Sequence, residues 1–387
     1  MKLPQAWKVK RELLRIKEKV QNLVLPRFTD RLRQFRYDRN LSRLLRETPG
    51  KKPLTGRVAV FVLFQPKGVA ASTFLTLDHL AAEDWSVLVI SNTPLSDLDR
   101  ERMADNASHV IERPNTGYDF GAYREGWRWL GRLGRPVDRL ILMNDSSWFP
   151  LRREDDILRR MEAMDSDVTG HIFKTEKTED NGRDHLESHL LMLGPRALSH
   201  PAMRRYWADY LMSDSKALTI RRGEKGIAQA ALNAGLSVRG LLGRETLVEL
   251  LSALTDSELQ LAVRRLALHS ETGRRQRDAW IEAINEGAGW RDDFLAWTAK
   301  ELSNSRQHLI SATFVDPAMS LGGMGFLKKS NDRRFHMARL AVLRGIEAGR
   351  IAPMDPIVEA EVRAAIAAWK PPLDWRANPN EVQKAEL

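Results

Sequence analysis

Between residues 57 and 143 the apolar positions switch repeatedly between two habits, short unbroken runs and longer stretches at helical spacing. The runs at 57–64 (RVAVFVLF), 86–90 (SVLVI), 108–112 (SHVIE) and 139–143 (RLILM) are rich in β-branched residues. They predict strands buried on both faces. Helical spacing over 69–82, a short polar helix before 108, and a helix over 118–130 separate them. Strand and helix in alternation predict an α/β domain whose parallel sheet is flanked by helices on both faces. Ligands of such sheets bind at the carboxyl ends of the strands. The polar residues to weigh are therefore 65–68, 91–93 with Asn92, 113–119 and 144–147.

Outside this block the pattern is helical. Leu13, Ile16, Val20, Leu23 and Val24, then Phe28, Leu32, Phe35, Leu41 and Leu45, predict two amphipathic helices meeting at Pro26, with a linker over 48–53. Further helices are predicted over 247–254, 258–267, 274–284 and 292–302. A glycine-rich break at 321–326 precedes a last helical pair, the stop at Pro371 and Pro372, and a polar tail after Trp375. Three parts follow: a basic helical arm over 1–52, an α/β domain over 53–243, and a mainly helical region over 244–387.

Charge sharpens the reading of the arm. The chain of 387 residues carries a net charge of +10, but residues 1–52 hold 16 Lys or Arg against 5 Asp or Glu, which leaves the remainder at −1. A basic arm on a neutral body fits an anionic membrane surface met through residues 1–48, or a helical hairpin packed on the body with its basic face in solvent. The neutral body and the absence of a reader motif argue against nucleic acid. Cysteine is absent, which excludes disulfides and thiolate chemistry and fits a reducing cytoplasm. No apolar run reaches the 18 residues of a membrane span, and the N-terminus lacks a secretory apolar stretch. The expected location is cytoplasmic, peripheral at the inner face of the cell membrane.

Among nucleotide motifs, the phosphate loop G-x-x-x-x-G-K-[ST] and the dinucleotide fingerprint G-x-G-x-x-G are absent. What stands at the strand ends instead is Arg113, Asn115, Gly117, Tyr118, Asp119, Gly121 and Arg124, followed by Asn144, Asp145 and Ser146. Gly117 and Gly121 allow close backbone approach at a helix start, where free N–H groups favour a diphosphate. Arg113 and Arg124 offer cations for a leaving nucleoside diphosphate. Asp145 is placed to hold a divalent cation, Mg²⁺ or Mn²⁺, or to bond the donor's ribose or sugar. Equally, Asn115 and Gly117 could make a turn and cap, with Asp145 capping the next helix. Lys174, Arg221 and Arg222 are weaker cation candidates. Trp127, Trp129 and Trp148 could stack on a base or sugar, although the first two cannot share a helix face.

The segment R-x-N-x-G-Y-D-F-G-A-Y-R, the strand ending M-N-D-S and the following Phe149-Pro150-Leu151 resemble the rhamnan synthesis protein F family of bacterial polysaccharide glycosyltransferases. The likeness covers roughly residues 55–240, with Ser188-His-Leu-Leu-Met-Leu resembling the acceptor-side strand and 223–235 a glutamate-bearing helix. It implies a GT-A-like fold and a nucleotide-sugar donor, commonly a dTDP- or GDP-linked deoxyhexose such as rhamnose. It also implies a lipid-linked glycan as acceptor. Glu224, opening the helix expected over 224–234, then matches the place where inverting enzymes of this fold carry their base, or else serves as a first-turn acid. Glu187 and Asp184, beside His185 and His189, are second candidates. Two departures stand out: N-D-S replaces the usual D-x-D metal motif, and 244–305 has no counterpart in the family pattern. A non-catalytic scaffold built on a sugar-nucleotide fold is the alternative function.

Overall fold

The computed structural model describes residues 25–175, 184–287, 289–303 and 308–370. The helix expected before Val24 and the tail after Trp375 lie outside the described residues. In chain order the helices are α1 (Leu25–Arg39), α2 (Leu41–Leu44), α3 (Ala71–Ala82), α4 (Asp97–Asn106), α5 (Tyr118–Leu133), α6 (Ile157–Ala163), α7 (Pro195–Ser199), α8 (Pro201–Asp209) and α9 (Lys216–Thr219). A π-helical turn, Ile220–Glu224, joins α9 to α10 (Lys225–Asn233). Then come α11 (Arg244–Ser252), α12 (Asp256–Arg264), α13 (Glu271–Glu286), α14 (Trp290–Leu302), α15 (Val315–Ser320), α16 (Arg333–Glu347) and α17 (Pro356–Ala367). The strands are β1 (Arg46–Pro49), β2 (Arg57–Leu63), β3 (Ser86–Ser91), β4 (His109–Glu112), β5 (Arg139–Asn144), β6 (Ser147–Trp148), β7 (Val168–Lys174), β8 (His185–Leu186), β9 (Leu190–Leu193), β10 (Val238–Leu242) and β11 (Leu327–Lys328).

The four predicted strands are β4, β3, β2 and β5, side by side and parallel. β2, β3 and β5 are largely apolar on both faces because helices cover both sides of the sheet. The full order is β1-β4-β3-β2-β5-β9-β7-β10, with β8 against β7. β9 runs antiparallel between β5 and β7, and β10 returns parallel to β7. The result is the mostly parallel, helix-flanked sheet expected of a GT-A-like fold. The expected linker at 48–53 is corrected in part: 46–49 pairs antiparallel with β4 as an edge strand. Its sequence, RETP, hides this because a charged strand ending in proline is tolerated only at an edge.

One hydrophobic cluster joins Phe61, Val89 and Ile141 to Leu247, Phe294, Val342 and Val358, so α11 to α17 seal one face of the sheet. A second cluster on the other face joins Val60 and Leu142 to Phe120, Tyr123, Trp207 and Ile227. Tyr37 of α1 belongs to that second cluster. The change at Gly243 is thus one of secondary structure inside a shared core. No described helix is long and apolar enough to cross a membrane.

Candidate active site

Asp145 follows β5 at the carboxyl edge of the sheet. Its Oδ2 accepts the Phe64 N–H at 3.0 Å, and its own N–H donates to the Val62 carbonyl at 3.1 Å. It therefore ties the ends of β2 and β5 together instead of capping a following helix. Beside it, Asn144 Nδ2 donates to Asp119 Oδ2 at 2.8 Å, and Asn144 Oδ1 accepts the Ser146 N–H at 3.1 Å. Asp145 and Asp119 are half-buried, and Ser146 and Asn115 are exposed.

The expected diphosphate cradle has other partners. Gly117 is at φ 77° before α5, and its N–H donates to Asp214 Oδ1 at 3.0 Å. Tyr118, also left-handed, donates its hydroxyl to the Asp214 carbonyl. A Cβ on Gly121 would stand 2.2 Å from the Thr116 carbonyl oxygen, so this glycine is needed for the helix to pass its own loop. Arg113 is buried, donating to Tyr37 Oη (2.9 Å), Asn92 Oδ1 (2.6 Å) and the Thr116 carbonyl (2.6 Å). Arg124 forms a two-pronged pair with Asp38 at 2.9 and 2.8 Å. Both guanidiniums, expected to face the leaving group, instead lock α1 and the 113–117 loop to the body. The partners Tyr37 and Asp38 lie more than seventy residues upstream, beyond the reach of any local motif.

Glu224 is also placed differently than expected. The helix starts at Lys216, and Glu224 ends the π-turn inside it, so it is not a first-turn acid. A Cβ on Gly223 would meet the Phe120 ring at 2.4 Å, so only glycine lets the widened turn lie against α5. Such π-bulges recur at functional sites. The Glu224 carboxylate accepts Ser188 Oγ at 3.1 Å and stands 3.6 Å from His185 Nε2. Tyr123, beneath it, donates its hydroxyl to the Ser188 carbonyl at 3.0 Å.

These elements bring three carboxylates to one edge. Burial, then the charges of Asp145 and Glu224, raise the Asp119 carboxyl to about 6, with Lys328 and Lys216 opposing. Lys329 is pushed down by burial and supported by Asp145 and Glu361. The facing cations are thus Lys216 of α9, Lys328 of β11 and Lys329 just after it; β11 pairs antiparallel with β6, Leu327 opposite Trp148 and Lys328 opposite Ser147. No local pattern signals Lys328 and Lys329 at this site, because about 180 residues separate them from Asp145.

Asp119 makes a stability prediction. A carboxyl raised in the fold above its free value of about 3.9 contributes a penalty that is absent below that value and fully present above the folded value near 6. Asp119→Asn is expected to raise stability at pH 8 by about 2 kcal/mol, after allowance for partial solvent screening, with no gain near pH 4. Thermal unfolding at the two pH values checks it; an equal effect at both would remove the carboxylate repulsion.

Most of the remaining candidates are held in other contacts. Glu187 is buried, 3.0 Å from Lys174 Nζ, 3.2 Å from Lys328 Nζ and 3.1 Å from His308 Nδ1. His189 faces Glu187 and Phe326, whereas His185 faces Glu224; among the described residues no His or carboxylate group gathers as a metal cluster. The Asp184 carbonyl accepts Gln229 Nε2. Arg222 pairs with Asp30 at 2.7 Å, and Arg221 is exposed. Trp127 stacks on Trp207, Trp129 is buried and donates to Glu47, and Trp148 is buried and donates to Glu361.

The family model described as rhamnan synthesis protein F matches residues 87–252. That span runs from β3 to the end of α11 and includes Asp119, Asp145 and Glu224, and the chain is glycosyltransferase-like over it. Uncharacterized protein y4gN of Sinorhizobium fredii (strain NBRC 101917 / NGR234) is 29% identical over 360 residues, 92% of this chain and 91% of that one. Among solved structures, a mannosyltransferase of Pyrobaculum calidifontis in complex with GDP-Man and Mn²⁺ is 12% identical, with 96% of each chain covered and a TM-score of 0.28. S. aureus TarS 1–349 is 12% identical over 81% of this chain and 91% of that one, also at 0.28. Superpositions this loose transfer no residue roles.

Proposed function

We propose that this chain is a glycosyltransferase that moves a deoxyhexose, rhamnose as the leading case, from a dTDP- or GDP-linked donor to a lipid-linked surface glycan. The observation that supports this most directly is the meeting of Asp119, Asp145 and Glu224 at one sheet edge, faced by Lys216, Lys328 and Lys329. In the reaction Glu224, oriented by Ser188 and His185, takes the acceptor hydroxyl proton. The acceptor oxygen bonds to the anomeric carbon from the face opposite the leaving group, the bond to the diphosphate breaks, and configuration inverts. The electron pair leaves with the diphosphate, whose charge Lys216 and Lys329 meet. Mg²⁺ or Mn²⁺ fits here: Asp119, linked through Asn144 to the strand end that carries Asp145, is raised first by burial and then by the Asp145 and Glu224 charges, and Mg²⁺ is commonly held by one or two carboxylates together with substrate phosphates. Asp145 and Asp119 would hold it, and it would supply further neutralisation of the leaving group.

A thermal-shift panel of nucleotide sugars, each with and without Mg²⁺ or Mn²⁺, tests the reading. Stabilisation by one donor class followed by transfer to a glycan acceptor is the expected result. The absence of stabilisation by any donor would favour the non-catalytic scaffold.

The membrane part of the proposal has its own support. The inner side of α1 is pinned by Arg222–Asp30, Arg113–Tyr37 and Arg124–Asp38. Its outer side leaves Phe28, Leu32 and Phe35 at 69%, 52% and 62% exposure, beside exposed Arg31, Arg36 and Arg39. An apolar stripe edged by arginines matches an anionic bilayer surface. Replacing Phe28, Leu32 and Phe35 together by Ser is expected to weaken sedimentation with phosphatidylglycerol vesicles by about tenfold or more, given about 1.5–3 kcal/mol per fully buried side chain. Unchanged sedimentation would refute this orientation.

A further inference from the structure

In the helical region beyond the sheet lies a cavity of about 250 Å³ lined by Arg264, Arg265, Arg274, Arg277, Arg344 and Arg350. A single carboxylate, Asp316, shares the lining, and it is already bonded to Arg350 at 2.9 Å. Arg277 is paired with Asp278, its neighbour on α13, and Arg264 donates to the neutral Asn285 amide oxygen. The buried Arg350 Nε has no hydrogen-bond acceptor among the described residues. Burial and then the nearby Arg350 charge hold Arg265 below its ordinary range, more than Asp316 restores. Arg274 and Arg344 have partners within the fold, so the case rests on Arg264, Arg265 and Arg350: like charges concentrated around a half-enclosed space favour the entry of an anion. Leu266, Met337 and Leu340 add apolar side chains to the lining, which strengthens charge interactions beside them.

We infer that this cavity is a binding site for a diphosphate-type oxyanion, separate from the carboxyl edge of the sheet. Guanidinium groups match phosphate oxygens in forked geometry, and several converging arginines select multiply charged phosphate over a single carboxylate. At about 30 Å³ for each water of the liquid, the cavity takes a group of pyrophosphate size. The site has a physical connection to the edge. α16 presents Met337, Leu340 and Arg344 to the cavity, while its buried Arg339 donates to the Lys328 and Ser330 carbonyls at 3.1 and 3.0 Å. The inference stands without the transferase reading, because its readout is binding.

The test titrates the full chain with inorganic pyrophosphate and, in parallel, geranyl diphosphate, following heat release and amide hydrogen exchange. The expected result is protection over residues 264–277 and 337–350, with more than tenfold weaker binding in the double variant Arg265→Gln/Arg277→Gln, whose unfolding midpoint serves as the folding check. Equal affinity for the two probes identifies a free diphosphate as the ligand; tighter geranyl diphosphate identifies a lipid headgroup. Absence of binding at millimolar concentration, protection confined to residues 113–146, or unchanged affinity in the folded double variant would overturn the inference.

Discussion

Replacing Glu187 with Gln is expected to remove about 3–5 kcal/mol of stability, the loss that follows when one partner is taken from a buried ionic cluster. The carboxylate is buried, and Lys174, Lys328 and His308 all stand within 3.2 Å of it. Burial alone would push its pKa up, but Lys174, Lys328 and His308 overcome that and hold it well below the usual carboxylate range. The neighbouring histidines add no further positive charge: His171 is held well below its ordinary value and His189 near 4, both first by burial, so both are neutral at pH 7. Glutamine keeps the shape and leaves two ammonium groups facing an uncharged amide. Urea unfolding of the two proteins at pH 7 measures the difference; a midpoint within error of the parent's would refute the cluster's role.

The pH dependence follows with a definite sign. A carboxyl whose folded pKa is depressed contributes stability that is present above its free value of about 4.3 and lost as the pH falls through the folded one. The parent should therefore lose this contribution in strong acid, while Glu187→Gln has already lost it and shows a flatter profile below pH 4. The cluster also matters for the site, because Lys328 belongs both to Glu187 and to the field around Asp119. Charge balance in the core thus positions a cation at the edge.

Much of this was legible in the sequence, for reasons that can be named. β2, β3 and β5 announce themselves because a strand covered on both faces must be apolar throughout, and the motif residues stand out because polar groups directly follow such strands. The resemblance read from the 113–124 and 144–146 motifs agrees with the family model over 87–252. The partners were not legible. Nothing near Arg113 or Arg124 signals Tyr37 and Asp38, and a guanidinium waiting for phosphate has the same local sequence as one already satisfied. The π-turn at Glu224 was hidden as well, since KALTIRRGEK has ordinary helical propensity and the reason for the bulge is the contact of Gly223 with the Phe120 ring. Two-residue strands such as β6 and β11 have no period to detect, so the lysine pair they deliver could not be foreseen.

Asp145→Asn is expected to lower sugar transfer by about 10²–10³-fold while leaving the fold intact, the loss typical of removing one preorganised group that acts on developing charge. The fold should survive because the bond that ties β5 to β2 is an acceptor bond: Asp145 Oδ2 receives the Phe64 N–H, and the amide oxygen of asparagine can receive it equally well. What disappears is the charge, and its loss has two consequences besides rate. Asp119 loses the first of the two carboxylates that repel it, so the apparent pKa of any acid limb that Asp119 contributes to the rate profile should fall from about 6. Lys329 loses the larger of the two carboxylate interactions, with Asp145 and Glu361, that support its ammonium form against burial. A rate measured across pH 5–9 for parent and variant, with a nucleotide-sugar donor at saturating Mg²⁺, separates these effects from simple loss of donor affinity, which would raise KM alone. Full activity in the variant would remove Asp145 from the chemistry. A large loss accompanied by a lower unfolding midpoint would assign it a role in holding the strands and none in catalysis.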